Sequence, residues 1–67
     1  MTIKLTHAAK RNVEETGCDP EADLDEIKRC GTTREEFLEF CLNGADSDRH
    51  AGWEEYVDAL FDCLEDA

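Results

Sequence analysis

Residues Trp53 to Ala67 read WEEYVDALFDCLEDA. Trp53, Val57, Leu60, Phe61 and Leu64 stand at i, i+4, i+7, i+8 and i+11, which is one stripe of an amphipathic helix. Glu54, Asp58, Asp62 and Glu65 stand at i, i+4, i+8 and i+11 on a neighbouring face, with Glu55 and Asp66 adding to the acid. No Lys or Arg follows His50. One helix therefore offers both the largest hydrophobic surface of the chain and a row of carboxylates without a base among them. Each like-charged pair at i, i+4 costs roughly 0.2–0.5 kcal/mol, and acids in a last turn oppose the helix dipole. Stability alone does not explain such a row. It serves either solubility or a partner.

Upstream of this stretch, cap signals divide the chain. Thr2 to Leu5 alternate in polarity, as a short strand or a helix lead-in does. Thr6 is an N-cap for a first helix to about Thr16, with Gly17 as its stop. The apolar content of this helix is thin: Ala8, Ala9 and Val13. Asp19-Pro20 is a favoured start for a second helix, with Asp23 to Glu26 as a second candidate start. That helix runs to about Cys30 and stops at Gly31, with Leu24 and Ile27 inward and Cys30 beside them. Thr33 to Glu36 form a capping box for a third helix, whose stripe is Phe37, Leu38, Cys41 and Leu42 with Phe40 adjacent. Asn43-Gly44 ends it. The fourth helix starts near Ser47 or Asp48 and holds Gly52, which costs about 1 kcal/mol relative to Ala and marks a close helix approach or a kink.

The sum is an all-α chain: a compact bundle of three to four short helices, one acidic domain over residues 1–67. Short connections favour antiparallel neighbours. The third and fourth helices carry the strongest stripes, so they are expected to pair as a C-terminal hairpin with the first two across them. A chain of 67 residues buries only about 60% of its unfolded surface. A homodimer, or a fold completed on a partner, is a natural supplement at this size.

The net charge is −11, from 18 acids against 7 bases. It is unevenly spread. Residues 1–18 hold three bases and two acids, whereas residues 19–67 hold sixteen acids and four bases. Direct binding to DNA or RNA needs a basic footprint, which is missing, and an anionic membrane repels the same sign. A basic protein partner is favoured, with faster encounter at low salt. MTIKLTHAAK lacks the apolar run of a signal peptide, and no transmembrane stretch is present. The expected location is the cytoplasm, with reduced thiols.

Several chemistries fail on spacing. Cys18, Cys30, Cys41 and Cys63 lie 12, 11 and 22 residues apart, without the close pairs of zinc sites, and read as small core or boundary residues. A disulfide from Cys18 would require an oxidising compartment. Asp46, Asp48 and His50 resemble a calcium loop only until the glycine and the final acid are counted, and they read better as helix caps. Leu24 to Leu42 have the outline of a helix-turn-helix, but Glu35, Glu36 and Glu39 on the recognition face would repel phosphates. No nucleophile–base pair and no phosphate loop occur, and the acids lie on solvated faces, so neither an enzyme nor a cofactor is expected.

The acid rows are left: Glu54, Asp58, Asp62 and Glu65 on the fourth helix, and Glu35, Glu36 and Glu39 on the third. Acids at i, i+4, i+8 form a ladder of about 6 Å per step, close to the spacing of successive phosphates. In size, charge and helicity, and in the acids of WEEYVDALFDCLEDA and TTREEFLEF, the chain resembles the small acidic inhibitors of phages and mobile elements, the anti-CRISPR proteins and restriction inhibitors that imitate nucleic acid. That resemblance implies a non-enzymatic inhibitor binding the basic groove of a nucleic-acid-binding protein or complex. The alternative is a helical adaptor that holds a protein through an apolar patch at Trp53, Tyr56 or Phe40, its acidity serving solubility alone.

Overall fold

The computed structural model describes residues 3–66. Four α-helices follow in order: α1 (His7–Thr16), α2 (Pro20–Cys30), α3 (Arg34–Leu42) and α4 (His50–Asp66), with a single 3₁₀ turn over Ser47–Arg49 before the last. No strand occurs among the described residues. Ile3 to Leu5 take no regular secondary structure, and Thr2 lies outside the described residues.

The first three helices start where side chains can serve their free N–H groups. Thr6 Oγ1 accepts from the Ala9 N–H at 3.2 Å. Asp19 Oδ1 accepts from Glu21 at 3.1 Å, with Pro20 at the first helical position, so Asp23 falls inside the first turn rather than starting the helix. Thr33 and Glu36 satisfy each other's backbone N–H groups, both at 3.2 Å. Gly17 (φ 73°) and Gly31 (φ 65°) close α1 and α2 in the left-handed region that glycine enters without steric cost. Thr33→Ala is expected to cost about 1 kcal/mol, read as a lowered denaturation midpoint followed by helical circular dichroism.

Helix α4 starts differently from the expectation. Ser47 to Arg49 wind as a 3₁₀ turn, α4 itself begins at His50, and Asp46 makes no side-chain cap bond. The tight turn is fastened instead by the His50 ring, whose Nε2 lies 3.2 Å from the Ala45 carbonyl.

Helix α4 is the centre of the fold. Its buried side chains are Trp53, Tyr56, Val57, Leu60 and Cys63, joined by Ala9, Leu24, Ile27 and Phe37 from the other helices. The buried stripe is therefore rotated from the one expected. Tyr56 and Cys63 are inside, whereas Phe61 and Leu64 are half-buried at the edge. The rotation follows from neighbours on two sides: α4 packs most extensively against α1, next against α3, and only lightly against α2. Full burial of one large apolar side chain stabilises by roughly 1.5–3 kcal/mol, so this stripe supplies most of the driving force.

The α1–α4 contact depends on small residues. A Cβ on Gly52 would land on the Asn12 amide and 2.9 Å from the Ala8 carbonyl oxygen. Gly52 thus marks a close helix approach, not a kink. Asn12 is buried, and its Nδ2 donates to the Arg49 carbonyl at 3.0 Å. The thin apolar content of α1 is what lets it come so near.

Candidate acidic surface

All four carboxylates expected on the fourth helix, Glu54, Asp58, Asp62 and Glu65, are exposed, as are Glu35, Glu36 and Glu39 on α3. Their exposure follows from the helical repeat: the α4 acids lie across that helix from the stripe of Tyr56, Leu60 and Cys63, Glu35 and Glu39 lie across α3 from Phe37, and Glu36 lies on its flank.

Two of the seven have structural duties. Asp58 is paired with Arg34, whose Nε lies 2.6 Å from Asp58 Oδ1 and whose Nη2 reaches the same oxygen. The carboxylate row is therefore interrupted by a base that enters from α3, which corrects the expectation of an uncompensated row. Periodicity compares residues on one helix and is blind to an arginine 24 positions away. At half exposure the pair contributes at most about 1 kcal/mol, but it ties the first turn of α3 to the middle of α4. Glu36 is the reciprocal partner of the Thr33 cap. The Thr33 hydroxyl, then the Thr33 backbone N–H, donate to its carboxylate and hold its pKa below the ordinary glutamate value.

Glu54, Asp62, Glu65, Glu35 and Glu39 make no ion pair among the described residues. Every arginine is engaged elsewhere: Arg11 and Arg49 with Glu15, Arg29 with Asp25, and Arg34 with Asp58. The negative field at these five positions is thus not cancelled by a guanidinium of the chain itself.

Of the three aromatic anchors expected for an apolar patch, two are withdrawn by the structure. Trp53 is 5% exposed and Tyr56 fully buried. They pack edge to face, with ring centroids 5.4 Å apart, inside the core. Phe40 is 75% exposed. It leans on buried Phe37 at 6.2 Å between centroids and lines an open depression with Glu36, Glu39, Leu42 and Asn43.

Tyr56 also reveals a polar contact that spacing could not show. Its hydroxyl donates to Asp23 Oδ2 on α2. Burial first, then the hydrogen bond and charge of Asp23, push the Tyr56 pKa far above that of free tyrosine. Beside it, burial pushes the Cys41 thiol up to about 12. A thiol so raised is a packing group, not a nucleophile.

All four cysteines are free: Cys63 buried, Cys18 and Cys41 half-buried, and Cys30 exposed rather than turned inward. Among the described residues no His, Cys, Asp or Glu group is gathered as a metal site, and no helix is long and apolar enough to cross a membrane. Comparison of the chain with protein families, with curated proteins and with solved structures finds no match.

Proposed function

We propose that this chain is a non-enzymatic acidic inhibitor that occupies the basic groove of a nucleic-acid-binding protein or complex and keeps DNA or RNA out, acting in the host-cell cytoplasm. The observation that supports this reading is the set of exposed carboxylates at Glu54, Asp62 and Glu65 on a helix anchored by the core, none of them cancelled by an arginine. A rigid helix holds the backbone of these residues at fixed intervals, so a phosphate-binding groove has only their side chains left to order on binding. Helices α3 and α4 would act together as a C-terminal hairpin. Arg34 against Asp58 and Cys41 near Trp53 along a shared depression favour that arrangement, and it would set Glu35 and Glu39 beside the main row.

Reversal of Glu54 and Asp62 to Lys, leaving Asp58 to its arginine, tests the proposal. Partners are captured from the native host and their nucleic-acid binding is then titrated with the chain. The expected result is at least a tenfold loss of inhibition, with wild-type binding falling steeply between low and physiological salt. Unchanged inhibition by the doubly reversed chain would remove the idea. Helicity is expected to persist, because both positions are exposed. The adaptor reading is left with Phe40 as its anchor, and salt-indifferent binding would favour it.

A further inference from the structure

Helix α3 is apolar on two sides. Phe37 and Leu38 face the core region, yet Phe40 stands out into solvent at 75% exposure. A single exposed phenylalanine is ordinary by itself. Its surroundings give this one a meaning: Glu36, Glu39 and Leu42 line the same depression, with no base among the lining residues. An apolar knob rimmed by carboxylates complements an apolar face flanked by cations.

We infer that Phe40 is the docking anchor for an amphipathic cationic protein segment, whose apolar face takes the ring and whose Lys or Arg side chains meet Glu36 and Glu39. The inference rests on the reading that the partner is basic, and adds where it is gripped. A second copy of this chain is the wrong occupant, since a two-fold contact through Phe40 would press the acids of one copy against those of the other in a chain of net charge −11. Nucleic acid and anionic lipid are repelled by the same acids. The acid rim steers the encounter and the ring supplies the desolvated centre that holds it, the division of labour seen where a few aromatic anchors dominate an interface.

Two synthetic probes separate the parts. Poly-lysine reads charge alone. An amphipathic helical peptide of Leu and Lys reads charge together with apolar docking. Phe40→Ala is expected to weaken the Leu/Lys peptide about tenfold and to leave poly-lysine unchanged, with Phe40→Leu restoring most of the loss. Glu39→Gln is expected to weaken both probes. Phe40→Ala without effect on the Leu/Lys peptide, while poly-lysine still binds, overturns the anchor and spares the cationic reading. Failure of poly-lysine to bind at all overturns both. A dimer seen by sedimentation and abolished by Phe40→Ala would also overturn the inference, by making the second copy the occupant.

Discussion

Leucine in place of Gly52 is expected to remove most of the stability of the fold, and alanine there to cost up to about 2 kcal/mol although alanine is the better helix former. A methyl group at Gly52 falls on the Asn12 side chain, which could move, and 2.9 Å from the Ala8 carbonyl oxygen, which is fixed in α1. Overpacking of this kind costs roughly 1–3 kcal/mol and more for larger groups, against a gain of about 1 kcal/mol from removing a helical glycine. Leucine adds three further carbons where the two helices already touch. A domain of this length has a total stability of only about 3–10 kcal/mol, so the larger substitution consumes most of it. Urea titration of helical circular dichroism gives the measurement. A Gly52→Ala chain more stable than wild type by about 1 kcal/mol, the full gain of removing a helical glycine, would show that α1 and α4 do not pack this closely. Asn12→Ala combined with Gly52→Ala should recover only part of the loss, because the Ala8 carbonyl remains in the way.

The second large effect is alkaline. The chain has a single tyrosine, and it is buried with its hydroxyl on Asp23. Its folded pKa is raised above the unfolded value of about 10. A group raised in this way stabilises the fold fully below its unfolded pKa, and the stabilisation is lost as pH climbs toward the folded value. Above pH ~10, each further pH unit therefore removes about 1.4 kcal/mol. Cys41, raised to about 12, pulls in the same direction over an overlapping window. The phenolate absorbance of Tyr56 is expected to appear together with loss of helicity, in one transition. Titration near pH ~10 with helicity intact would contradict its burial. Tyr56→Phe removes the phenolic ionisation and, because Asp23 is only half-buried and keeps access to water, costs about 1 kcal/mol at neutral pH for the lost hydrogen bond.

The local grammar of the chain was largely readable in advance. Thr6, Asp19 and Thr33 cap helices because their side chains serve N–H groups two or three residues away, and Gly17 and Gly31 stop them for equally local reasons. Tertiary partners were not readable in this way. Arg34 reaches Asp58, Tyr56 reaches Asp23, and Asn12 reaches Arg49 across 24, 33 and 37 positions, distances over which no periodicity speaks. Small residues were the other silent signal. Large apolar residues mark α3 as a partner of α4, which it is, whereas the more extensive α1 contact rests on Ala8 and Gly52, small residues that carry no hydrophobic signal. For the acidic surface, exposure followed correctly from helical phase, but the loss of Asp58 to an ion pair and the use of Glu36 in a cap required three dimensions.

The edge-to-face Trp53–Tyr56 pair gives the molecule a built-in optical gauge. Its lone indole sits in the core at the head of α4, lining neither the Phe40 depression nor the outward acid row. Emission from that indole shifts to the red when water reaches it on unfolding and stays put when a ligand seats on Phe40 or on the acid row. Each variant above can therefore be sorted, without any label, into those that have lost their grip and those that have lost their shape.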